Sequence, residues 1–154
     1  MSIKTRVEDA ERLWATGRRE GAWVLALIAT AATAKKRYPT KGDKEGFKTF
    51  ICDIARTIIT GEVGGASPLH INFYTENRAE TRTLEDIMYI ELRCNLVHEA
   101  ELKDVTFSES TSKDDRYEGT LNVPTKGRAV IPDFWVLNLI AAVKAAPENT
   151  DLFG

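Results

Sequence analysis

Residues Leu84–Leu102, LEDIMYIELRCNLVHEAEL, decide how this chain is read. Leu84, Ile87, Met88, Glu91 and Leu92 fall at helical spacing, and Cys94, Leu96 and Val97 extend the apolar side. Thr83 is a suitable N-cap. Glu85 and Asp86 place negative charge in the first turn, where the helix dipole favours it. A helix this apolar must be packed on several sides, so the Arg93 and His98 within it need a reason. The stretch also holds Cys94, so it carries one of the two cysteines and one of the two histidines of the chain.

The 154 residues predict a single domain over 1–154, long enough to bury a real core. A net charge of −2 and a pI near 5.8 argue against a surface coated with positive charge for non-specific nucleic-acid binding. Cys52 and Cys94 both sit in apolar, helix-like surroundings and read as reduced core thiols. The N-terminal MSIKTRVEDAERLW has no apolar signal-peptide core. The longest apolar run, Ala22 to Ala34, is too short and too rich in alanine to span a bilayer. The expectation is a soluble cytoplasmic protein with no membrane contact.

Before the central stretch the periodicity is helical. Ile3 to Thr16 carries a stripe of Val7, Ala10, Leu13 and Trp14. GAWVLALIATAATAKKR follows as a strongly apolar helix to about Arg37, with Lys35, Lys36 and Arg37 suited to its C-terminal end. Asp43 is expected to cap a third helix, Lys44 to Thr60, which Gly61 ends. Leu69 to Tyr74 alternates and reads as a short strand or an extended loop.

After Leu102 the period changes to two. Asp104 to Glu109, Arg116 to Val123 and Arg128 to Ile131 read as short strands separated by polar turns, an antiparallel hairpin or three-stranded meander. Asp133 is expected to cap a last helix, Phe134 to Ala146, with a frayed tail from Glu148. The predicted class is all-α: about five helices in a bundle, with a small β appendage at about 104–131 inserted before the last helix.

Little conventional chemistry is on offer. The chain has no phosphate-binding glycine loop, no CxxC, no HExxH and no GxSxG. Cys94 and His98 share a helix face at ligand spacing, but a second ligand pair is missing, so neither a metal nor another cofactor is expected. Arg93 and His98, five residues apart on an α-helix, are separated by about 140° of rotation. Converging on one anion, arginine would offer a fork of donors to a phosphate, and histidine would exchange a proton at neutral pH. Cleavage of RNA through its own 2′-hydroxyl needs those two functions and no metal. The alternative is that Arg93 pairs with Glu91, Glu99 or Glu101 and His98 merely ends the helix. Arg116, Tyr117, Lys126 and Arg128 of the β appendage are read as solvated hairpin residues.

RCNLVHE, in this helical setting, resembles the Arg-x4-6-His signature of the HEPN superfamily. The resemblance covers roughly Val7 to Leu102 and the last helix, with the strands looking like an insertion. It implies a HEPN-like bundle acting as a homodimer, in which two motif helices meet across a two-fold axis. Many members are metal-independent ribonucleases of toxin–antitoxin and other defence systems. Carried over, Arg93 would bind the scissile phosphate and His98 would be the general acid/base. Asn95, Cys94 and Glu99 would line the substrate, and an antitoxin or defence-system protein would be the partner. Active members commonly place a polar residue after the arginine, where this chain has Cys94. The second reading implied is a non-catalytic HEPN-like module that binds RNA, a nucleotide or a protein.

Overall fold

The helices at the N-terminal end form where the periodicity places them. The computed structural model describes residues 2–64, 68–74, 81–98, 105–109, 111–113, 116–123 and 129–154. Helix α1, Ile3–Ala15, starts at Ser2, whose hydroxyl accepts the Thr5 N–H at 3.1 Å. Its stripe of Ile3, Val7 and Ala10 is buried against α2, Arg19–Arg37. Helix α3, Asp43–Thr60, buries a broad face of Phe47, Phe50, Ile51, Ile54 and Ile58. Gly61 ends it at φ 76°, a left-handed conformation that glycine adopts without strain. Asp43 is the first helical residue rather than the cap. Gly42 holds that position, and the Asp43 carboxylate is committed elsewhere.

Two short strands, β1 (Asn72–Tyr74) and β2 (Thr81–Thr83), pair antiparallel with Asn72 opposite Thr83. The alternation in LHINFY is therefore a strand only in its second half. Thr83 then caps α4, Leu84–Asp86, with its hydroxyl accepting the Asp86 N–H at 3.2 Å. The chain next departs from the α-helix expected there: Ile87–His98 is π-helical. In a π-helix the backbone bonds i to i+5, so residues five apart succeed one another along one side. Ile87, Leu92 and Val97 have that spacing, the first two fully buried and the third packed against the core. The apolar positions fit a five-residue register as well as the α period counted from the sequence.

The β region is partly as expected. Strands β4 (Thr111–Lys113) and β5 (Arg116–Glu118) form an antiparallel hairpin, and Asn122 bridges antiparallel to Val130. The flanking strands differ from a meander. β3 (Val105–Ser108) and β6 (Ala129–Pro132) run parallel, with Val105 opposite Ala129. Parallel neighbours need a long crossover, and the inserted hairpin lies within it. Gly119 follows β5 where a Cβ would come within 2.8 Å of Pro132. The appendage docks on the bundle through aromatic contacts. Phe107 stacks on the fully buried Trp23 at 5.1 Å, and Tyr117 touches both Trp14 and Phe134. Such aromatic pairs add roughly 0.5–1.5 kcal/mol beyond the area they bury. Tyr117 is thus a packing residue despite its exposure. Lys126 and the Arg128 position lie outside the described residues, as does the Arg116 side chain.

Helix α5, Trp135–Ala145, buries Trp135, Val136, Leu139, Ile140 and Val143. Asp133 does not cap it. The carboxylate is buried and meets the Arg19 guanidinium at 3.1 Å, tying α5 to the start of α2. The tail is ordered rather than frayed: a 3₁₀ turn, Pro147–Asn149, leads into α6, Thr150–Phe153. Asn149 is fully buried and donates to Thr33 Oγ1 at 3.0 Å and to the Val143 carbonyl at 2.9 Å. The elements share one hydrophobic core, and the all-α class with small β elements is what the chain adopts. No helix among the described residues is long and apolar enough to cross a membrane.

Candidate functional site

Two constellations carry chemistry, both built on α3. The first surrounds Arg93. Asp43, in the first turn of α3, accepts both arms of the Arg93 guanidinium, at 2.6 and 3.2 Å. Only 12% of the Arg93 side chain is exposed. The guanidinium also lies over the rings of Phe47 and Tyr89, 5.2 and 5.5 Å from their centroids. Ion pair and ring contacts together leave the fork already occupied. Burial, with the neighbouring Cys94 thiol second, pushes the Tyr89 hydroxyl above its ordinary range.

The π-helical register places positions 93 and 98 one turn apart along the same side, instead of the 140° separation of an α-helix. Cys94 is half-buried beside Tyr89. The side chains of His98 and Asn95, and the whole of Glu99, lie outside the described residues. So do Glu101 and the Glu91 side chain, the expected partners of Arg93 along with Glu99. Among the described residues, the pairing of Arg93 runs across to α3.

The second constellation escaped the reading of the sequence. Cys52 Sγ lies 3.5 Å from His70 Nδ1, and that nitrogen lies 3.4 Å from Glu85 Oε1. Among the described residues these three are the set whose donor atoms could hold a metal ion, all within 4.8 Å of one another. Cys52 comes from the middle of α3 and is buried. Burial first, and the Glu85 charge second, push its thiol up to about 11.

The β1–β2 register explains why His70 and Glu85 meet. With Asn72 opposite Thr83, continuing the ladder by two residues sets His70 opposite Glu85. The Leu84 N–H donates to the Ile71 carbonyl at 3.0 Å and extends that ladder. The Leu69 N–H donates to the Cys52 carbonyl at 3.0 Å and fastens the same loop to α3. The one signal in the sequence was the alternation in LHINFY, which needed its partner strand TRT before it could place His70.

The three residues line a groove of about 350 Å³ with Tyr38, Lys48, Thr49, Asp53 and Pro68. Its rim is strongly paired. Lys48 contacts Asp86 at 2.5 Å, and that hydrogen bond, ahead of other influences, holds the Asp86 carboxyl below its usual range. The Tyr38 hydroxyl donates to Asp53. Burial and that bond push it up to about 12. Arg37 bridges Asp53 at 3.2 Å and Glu148 at 2.7 Å. The basic triplet at the end of α2 therefore acts on the C-terminal turn, with Lys36 reaching the Glu148 carbonyl at 3.3 Å.

No curated protein and no solved structure gives a significant match to this chain. A family model described as Rv1289 matches residues 2–153, nearly the whole length, and the chain belongs to that Rv1289 family.

Proposed function

We propose that this protein is a HEPN-like interaction module that associates through its motif helix and does not cut RNA. The observation that carries this reading is the bidentate Arg93–Asp43 pair packed over Phe47 and Tyr89. A phosphate could use the Arg93 fork only after displacing an intramolecular carboxylate that already satisfies it. Cys94, where active enzymes of the resembled superfamily place a polar residue, points the same way. The acidic pI argues against bare RNA as the partner. Ile90 on the motif helix and Ile28 on α2, which packs against that helix, are large apolar side chains left exposed.

The deciding experiment incubates the purified chain with structured and single-stranded RNA in the presence of a chelator. The expected outcome is no cleavage beyond that of the His98→Ala variant. Metal-independent products with 2′,3′-cyclic phosphate ends, lost in His98→Ala, would overturn the reading.

One observation supports a second reading, the metal-independent endoribonuclease of a toxin or defence system. The π-helical register sets positions 93 and 98 along one side of the helix, so a dimer would present two such pairs. Under that reading Asp43 is a latch on Arg93. Asp43→Asn, which keeps the shape and removes the charge, would then raise cleavage in the same assay.

A further inference from the structure

We propose that Cys52, His70 and Glu85 form a binding site for a zinc-type divalent cation, with three protein ligands and a fourth position facing the groove. Two of the three donor spacings match those of a tetrahedral centre. Metal–ligand bonds of 2.0–2.3 Å set the ligand atoms of a tetrahedral zinc roughly 3.3–3.8 Å apart. Two edges of the triangle already have that length, 3.5 Å from Cys52 to His70 and 3.4 Å from His70 to Glu85. The third is no longer than 4.8 Å, and binding requires the Glu85 carboxylate to move within that span.

The donor types select the metal. Sulfur, imidazole nitrogen and one carboxylate oxygen make a mixed set that suits zinc. Magnesium and calcium require oxygen throughout. Charge also balances: a thiolate and a carboxylate together neutralise a divalent cation, and the imidazole binds in its neutral form. As the sulfur–metal bond forms, the Cys52 proton leaves to solvent.

The scaffold holds the three donors without the metal. Cys52 is buried in the middle of the long helix α3, while the loop carrying His70 is fastened by the Leu69 bond to Cys52 and the Leu84 bond to Ile71. The strand register then fixes His70 against Glu85. Three protein ligands leave a coordination position for water or a small anion, the arrangement of zinc sites that act on a bound molecule rather than merely cross-link a fold. His70 is largely exposed, so an ion has an entry path from the groove.

The test uses the purified full chain, stripped with a chelator and titrated with Co²⁺ as a spectroscopic substitute for zinc. The expected result is saturation at one equivalent, with a near-ultraviolet thiolate-to-cobalt band and intense visible bands of four-coordinate cobalt. One equivalent of Zn²⁺ should then abolish both. Cys52→Ser should remove the near-ultraviolet band. His70→Ala alters an exposed loop side chain, and circular dichroism would verify its fold. It should weaken Co²⁺ binding by roughly a hundredfold. The proposal is overturned by absence of the bands at one equivalent, by their persistence in Cys52→Ser, or by unchanged affinity in His70→Ala. If Cys52→Ser fails to fold, the His70→Ala affinity decides alone.

Discussion

Arg93 shows how one side chain can be read two ways until its neighbours are known. On the sequence it is an arginine near a histidine in an apolar helix. In the fold it is a cation with both arms on Asp43 and its flat faces on Phe47 and Tyr89. A partner 50 residues away in sequence cannot be inferred from helical spacing, which reports only on neighbours three and four apart. The contacts predict a particular ranking of variants. Asp43 is well exposed, so Asp43→Ala removes a solvent-screened pair and should lower stability by about 1 kcal/mol or less. Arg93→Ala also strips the ring contacts and the packing of the arginine stem, and should cost about 2 kcal/mol. Urea denaturation of both single variants and the double variant measures this. The double-mutant cycle should give a coupling of roughly 0.5–1 kcal/mol, and zero coupling would show that the pair contributes nothing.

Elements that rest on local chemistry were legible, and those that rest on distant pairing were not. Helices α1, α2 and α3 follow from apolar periodicity, and α2 and α3 end close to where the basic triplet and Gly61 place the breaks. The parallel pairing of β3 with β6 was hidden because two alternating segments look alike in either direction. The π-helix was hidden because its backbone register leaves the apolar residues at spacings an α-helix also tolerates. The Cys52–His70–Glu85 group depended on a hairpin register that only the paired strands reveal.

The C-terminal turn is the sharpest case: a polar tail read as frayed is held to α2 by Arg37, Lys36 and Asn149. Its Glu148 carboxyl is held below the ordinary glutamate value of 4.5, chiefly by the Arg37 hydrogen bond. A depressed carboxyl stabilises the fold at pH above its unfolded value and loses that contribution as pH falls through its folded value. Melting temperatures of wild type and Glu148→Gln should therefore differ near neutral pH and converge below about pH 4.5. A gap that stays constant down to the acid limit would count against the ion pair. Asn149→Ala should lower stability by about 1–3 kcal/mol, since it leaves buried groups without their donor. Chemical denaturation gives the value directly.

For the molecule entire, the proposed function makes two chains the working unit. Association through the motif helix would need an apolar side chain left uncovered on the single chain. Most of the apolar residues described in 84–98 turn inward, but Ile90 is 42% exposed. Its neighbours Ile87, Met88 and Leu92 are all buried, so the exposure is not a general loosening of the segment. Helix α2 packs against the same segment and leaves Ile28 exposed at 37%. A two-fold axis passing near the motif helix would cover such side chains with their own copies, as isologous interfaces do. Light scattering on a size-exclusion column should give about twice the 17.2 kDa of the chain. Ile90→Glu puts a charge where the copies would meet and leaves the core untouched, so it should shift the mass to that of one chain without changing the circular dichroism. Dilution should do the same more gradually, because association depends on concentration while folding of the monomer does not. A wild-type chain that elutes as a monomer at high concentration would remove both the composite ribonuclease site and the self-association surface. A dimer that survives Ile90→Glu would move the interface to another face and leave positions 93 and 98 of each chain to act alone.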